Sequence, residues 1–159
     1  MKAASLAELK KELKNLPPDE VIQHFLRVIK HKKENKELLS YLLFESGYEE
    51  GYREVAKAEI DEAFAATNTT GFYLAKKSIR RALRIANKYI KYSDEAETEI
   101  ELIMHFCRGM RSVKLNFTNS KVMTNLYERQ LLRIDKALGK LHEDLQFDYA
   151  EDVAKLRNY

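Results

Sequence analysis

Tryptophan is absent from this chain of 159 residues, and cysteine, proline and glycine are scarce, at one, two and five residues. The lone Cys107 cannot close an internal disulfide and suits a reducing compartment, so a cytoplasmic setting is expected. No apolar run approaches the roughly 18 residues of a spanning helix, and the opening MKAASLAELKKELK is charged and amphipathic without a signal-peptide apolar region. No membrane association is expected, and the N-x-Thr sequons at Asn68 and Asn116 are chance matches in loops. With so little glycine and proline and no Asn-Gly hairpin signal, nothing reads as a strand. Also lacking are a Gly-rich phosphate loop, a G-x-S-x-G elbow and an H-E-x-x-H helix, so the sequence offers no catalytic motif and no enzymatic activity is expected.

What is present is helical periodicity. The composition, 45% hydrophobic and 33% charged, is that of a globular protein rich in charge. A single all-α domain over 1–159 is expected, with seven or eight helices in a compact bundle or a short α-solenoid-like stack of helical pairs.

Ser5-Leu-Ala-Glu8 has the spacing of a capping box, followed by Leu6, Leu9, Leu13 and Leu16 on one helical face. Pro17-Pro18 ends that helix, and the next has its apolar face at Val21, Ile22, Phe25, Leu26, Val28 and Ile29. A charged turn, HKKENKE, precedes a third helix with Leu38, Leu39, Tyr41, Leu42, Leu43 and Phe44, apolar nearly all round and expected to be the most buried. An acidic helix runs to about Ala66, with Glu59 projecting into its apolar half and expected to pair with an arginine of the helix that follows. After a loop at Asn68–Gly71 and a basic helix, Ser93 or Asp94 caps a helix whose core positions are Ala96, Ile100, Ile103, Cys107 and Met110. A last long helix keeps a four-three rhythm through Tyr127, Leu131, Ile134, Leu138, Leu141 and Leu145, as a bundle core or a coiled-coil seam does. A final segment covers about Phe147 to Arg157.

The most one-signed stretch is Phe72 to Tyr92, FYLAKKSIRRALRIANKYIKY, with seven basic residues and no acid. At 100° per residue Phe72, Ala75, Ile79, Ala82, Leu83, Ala86, Tyr89 and Ile90 fall in one arc. The other arc carries a stripe that requires anions, and the candidate binding residues are Tyr73, Lys77, Arg80, Arg81, Arg84 and Lys88. The nearest source of anions is the chain itself. Residues 41–70 hold seven acids against two bases and residues 93–106 hold five acids and no Lys or Arg, so pairing between consecutive helices is the expected use of the stripe. Nucleic-acid phosphates, with Tyr73 stacked on a base, are the alternative.

Metal and cofactor sites are not expected. His24 and His31 lie about 10 Å apart along their helix, and Glu20/His24 and Glu101/His105 are one residue too widely spaced for the di-iron bundle motif. Cys107 falls in an apolar arc, as an inert thiol does. His142-Glu143-Asp144 with Asp148, Glu151 and Asp152 reads as a solvated face. Of the tyrosines, Tyr48, Tyr52, Tyr73 and Tyr92 are candidates for exposure.

Three segments, LKKELKNLPPDEVI, YLAKKSIRRALRIANKYIKYS and NLYERQLLRIDKALGKLHEDLQFDYAED, together resemble a family of uncharacterised bacterial helical proteins of about this size. The resemblance covers most of the chain and implies a bacterial cytoplasmic protein with no assigned activity; it supplies no site residues. The expected function is therefore a non-enzymatic helical interaction module that presents charged faces to another protein, with nucleic-acid binding by helix 72–92 as the alternative and an enzyme with an unrecognised site as the second alternative. Oligomeric state is left open, since the seam at 127–145 serves one core or two equally well.

Overall fold

Capping and proline chemistry fix where the first helices begin and end. In the computed structural model, which describes residues 2–67 and 70–159, α1 (Leu6–Asn15) opens with the anticipated capping box. Ser5 Oγ accepts from the Glu8 backbone N–H at 3.3 Å and the Glu8 carboxylate accepts from the Ser5 N–H at 2.7 Å. Leu16 is extended, as a residue before proline must be, and Pro18 is the first residue of α2 (Pro18–His31). The Asn68 sequon and the start of the Asn68–Gly71 loop lie outside the described residues.

The chain divides into two compact units, Met1–Phe44 and Glu45–Tyr159. In the first, α2 packs on α3 (Lys33–Ser40), and Asn35 Nδ2 ties the pair by donating to the Val28 carbonyl at 2.8 Å. The expected charged turn is thus mostly helix: Lys32 alone is extended between α2 and α3. A π-helical turn, Tyr41–Glu45, follows α3. The expectation that residues 38–44 are the most buried is overturned. Tyr41 is buried, but Leu42, Leu43 and Phe44 are 53%, 63% and 78% exposed. A short helical unit offers too little facing surface to cover a segment that is apolar on every side.

In the second unit the elements are α4 (Glu49–Ala65), α5 (Phe72–Ser93), α6 (Ala96–Ser112), a 3₁₀ turn (Phe117–Asn119), α7 (Lys121–Leu138) and α8 (Glu143–Arg157). Among the described residues the chain thus forms eight α-helices and no strand. The most buried helix is α6, which touches α4, α5, α7 and α8. Its Ile100, Leu102, Ile103, Phe106, Cys107 and Met110 have no exposed surface. One helix surrounded by four others is a bundle arrangement rather than a linear stack of pairs. Ala56 and Ala63 of α4 and Ala75, Ala82 and Ala86 of α5 are buried, and these two helices pack on each other.

Two boundaries differ from expectation. Asp94, in the left-handed region at φ 57°, terminates α5 instead of capping α6, whose N-cap position is Glu95. The Ser93 hydroxyl still accepts from the Glu95 N–H, and it donates to the Glu49 carboxylate, which Thr98 also reaches at 2.7 Å. The four-three rhythm at 127–145 does not run through one helix. It stops at Leu138 with Gly139 as cap, and α8 restarts behind His142, whose Nδ1 accepts from the Asp144 N–H. Glu143 and Asp144 so occupy the first turn of a helix, where negative charge is favourable.

The end of α8 is held by side chains of its neighbours. Tyr127 Oη donates to the Leu156 carbonyl at 2.8 Å, and Arg111 donates to the carbonyls of Lys155 and Asn158 at 2.7 and 3.1 Å. Burial pushes the Tyr127 phenol up to about 12.

Two predictions follow from this core. Ile103→Ala is expected to lower stability to urea by about 2–5 kcal/mol, whereas Phe44→Ala changes it by less than about 0.5 kcal/mol. The Tyr127 phenol is raised above its unfolded value near 10, so its contribution is complete below about pH 10 and is lost as pH rises through about 12. Urea titrations between pH 8 and 12 should record that decline, and Tyr127→Phe, at a cost of roughly 1 kcal/mol at neutral pH, should flatten it.

Candidate anion-binding groove

The amphipathic pattern of α5 is reproduced. Ala75, Ile79, Ala82, Ala86, Tyr89 and Ile90 are buried, Leu83 is half-buried, and Phe72, at the first turn, is 36% exposed. The buried arc is the one turned to α4 and α6, and this decides which charges meet. The acids of α4 and α6 are matched largely by cations from elsewhere than α5. Arg53 lies 3.7 Å from both Glu97 and Glu101, Lys57 lies 2.8 Å from Glu54 and 2.7 Å from Glu101, and His105 lies 2.7 Å from Asp61. Glu99 is held by Arg133 of α7 at 2.6 Å and by Lys140 at 3.7 Å. Burial depresses the Lys57 ammonium, but its hydrogen bonds to Glu101 and Glu54 outweigh this and leave it raised. Tyr149 adds its hydroxyl at 3.2 Å from Glu97 and 3.3 Å from Glu101, and its burial, with those two carboxylates, drives the phenol upward.

From α5 one cation joins this pairing. Lys88 approaches Glu59 at 3.7 Å, and Tyr89 Oη donates to the same carboxylate at 2.6 Å. The partner of Glu59 is therefore a lysine and a tyrosine of the basic helix, not an arginine. Among the described residues Lys76, Lys77, Arg80, Arg81, Arg84 and Lys91 enter no ion pair. The pairing expected of consecutive helices exists, but it uses other cations.

On the flank of α5 that faces α7 lies a groove of about 620 Å³, lined by Tyr73, Lys76, Lys77, Arg80, Leu83, Arg84 and Asn87 and closed by Leu126 of α7. Four of the expected residues, Tyr73, Lys77, Arg80 and Arg84, come together here. Arg81 and Lys88 do not line it. At 100° per residue they lie farther round the helix, and Lys88 is engaged by Glu59. Lys76 and Asn87 were missing from the expected set; the i, i+4 row 76–80–84 is the signal that finds Lys76. Asn87 Oδ1 accepts from Arg133, whose other face holds Glu99, so this end of the groove is closed by a neutralised arginine. Tyr73 is 85% exposed and so is Tyr48 at 65%, while Tyr52 and Tyr92, also candidates for exposure, are buried. The Tyr52 hydroxyl donates to the Tyr89 carbonyl at 3.0 Å.

The groove offers an occupant positive charge, one phenol ring, one amide and an apolar floor. None of its lining residues is a carboxylate, an imidazole or a thiol. Cys107 is buried in α6, and burial pushes its thiol up to about 12, far from a reactive thiolate. Among the described residues no three His, Cys, Asp or Glu side chains are placed to share a metal ion, and no helix is long and apolar enough to cross a membrane. No known sequence family matches the chain, and no curated protein or solved structure does either.

Since Arg80 and Arg84 stabilise nothing by pairing, the double change Arg80→Glu with Arg84→Glu is expected not to lower unfolding free energy but to raise it by about 1 kcal/mol, because Lys76/Arg80 and Arg84/Lys88 become opposite-charged i, i+4 pairs. Glu101→Ala, which strips Arg53, Lys57 and Tyr149 of a partner, is expected to cost about 1–3 kcal/mol. Thermal and urea unfolding of the two variants side by side makes the comparison.

Proposed function

We propose that the chain is a non-enzymatic helical interaction module that holds a negatively charged macromolecule in the groove between α5 and α7. The observation that carries this reading is the row of cations on α5 that the protein's own acids leave unpaired while pairing with Arg53, Lys57 and Arg133 instead. Gathering like charges along one face without counter-charge has no structural return, and a partner supplies the counter-charge. An acidic surface of another protein is one class of such partner, whose apolar stripe would meet Leu83 and Leu126 in the groove, and nucleic-acid phosphates are the other. A bacterial cytoplasmic setting completes the reading, supported by the resemblance of the three segments quoted above and by the single, buried Cys107.

Fluorescence anisotropy with a labelled oligonucleotide and a labelled poly-glutamate peptide, at low and near-physiological salt, tests the proposal. At least one of these polyanions should bind at low salt, weaken steeply as salt rises, and lose affinity at least tenfold when Arg80 and Arg84 are reversed to glutamate. Absence of binding by both at low salt would remove the proposal.

A further inference from the structure

We infer that the occupant of this groove is a single strand of nucleic acid, with phosphates along Lys76, Arg80 and Arg84 and a base stacked on Tyr73; this rests on the groove being the binding face. Lys76, Arg80 and Arg84 recur every fourth residue and line the groove on successive turns. Each step advances about 6 Å along the helix, close to the separation of successive phosphates in an extended strand. Lys77 adds a fourth charge beside the row. The charges line an open concavity of about 620 Å³, on the order of one or two nucleotides in size.

Tyr73 supplies the second, independent observation. Its ring is 85% exposed, at the end of the row, and among the described residues it makes no hydrogen bond, ring contact or ion pair. A large aromatic surface left in water beside a line of cations is the arrangement by which single strands are held, with the backbone following charge and a base covering the ring. Readers of base edges are few. Asn87 is the one amide in the groove and its carbonyl oxygen is occupied by Arg133, so binding should tolerate sequence. An acidic helix would use the same cations but would have no particular need of the Tyr73 ring.

The test uses the full chain with three labelled probes: a single-stranded oligonucleotide, the duplex of the same length, and poly-glutamate. The single strand should bind tightest. With three phosphates engaged, the logarithm of its affinity should fall with the logarithm of salt with a slope of about −2, at roughly 0.7 per phosphate. Tyr73→Ala should weaken it by about 5- to 100-fold and Tyr73→Phe should leave it nearly unchanged, since stacking needs the ring and not the hydroxyl. Arg84→Ala should shallow the salt slope by about 0.7. Equal or tighter binding of the duplex, or indifference to Tyr73→Ala, would overturn the single-strand assignment. Preference for poly-glutamate would overturn it too, while leaving the groove as an anion site. Failure of all three probes at low salt would remove both.

Discussion

The second unit depends on the burial of α6. A helix with so wide an apolar arc, from Ile100, Leu102 and Ile103 to Phe106, Cys107 and Met110, is covered only by several helices at once, and α4, α5, α7 and α8 supply that cover. Each covering helix spends one face on α6 or on its neighbours, so the orientation of its remaining faces is no longer free. The direction in which α5 points its cations is a consequence of this and not an independent choice. With Ala75, Ile79, Ala82 and Ala86 turned inward, Lys76, Arg80 and Arg84 must look outward along the flank shared with α7.

The same constraint distributes the charges. Arg53 and Lys57 sit on the flank of α4 that meets Glu97 and Glu101 of α6, and they reach these carboxylates within 3.7 Å. These side chains are partly shielded from water, where an ion pair is screened less than at an exposed site. Tyr149 of α8 closes the network from the other side. Several of the acids that look in sequence like counter-charges for α5, Glu54, Glu97, Glu99 and Glu101, are therefore engaged by other cations. The net charge of the chain, +3, conceals an uneven distribution in which Arg53 and Lys57 pair with acids of α4 and α6 while most cations of α5 enter no ion pair.

Much of this architecture was legible in the sequence because it rests on local chemistry. The Ser5–Glu8 box, Pro17-Pro18, the buried arc of α5 and the α6 core positions Ile100, Ile103, Cys107 and Met110 follow from capping rules and a period of 3.6, whereas the burial of Leu102 and Phe106 comes from the extra helices packed around α6. Misreadings arose wherever tertiary context decides. Residues 38–44 are as apolar as any core helix, yet apolarity states a demand for burial, not that neighbours exist to meet it. The rhythm from Tyr127 to Leu145 runs across a break at Gly139 that periodicity does not register, and beyond the break its last member, Leu145, is 39% exposed. The groove was half legible. Its cations are visible as a stripe, but Leu126 and the Arg133–Asn87 bond come from a helix more than thirty residues away, and no local pattern announces them.

A cost argument bears on why α5 keeps its row. Lys76/Arg80, Lys77/Arg81, Arg80/Arg84 and Arg84/Lys88 are like-charged at i, i+4, each destabilising an exposed helix by about 0.2–0.5 kcal/mol, or roughly 1–2 kcal/mol together. The first turn of α5 has no acid to offset this, and Gly71 provides no side-chain cap. The helix tolerates the penalty because its inner face is buried along most of its 22 residues. Tolerance explains how the row persists but not what it gains. Alternating lysine with glutamate on the same outer face would keep the helix amphipathic, remove the repulsion and add favourable pairs. The row instead leaves an uncompensated field over a groove that holds an exposed aromatic ring, and an anionic occupant turns the repulsion between these cations into a shared attraction.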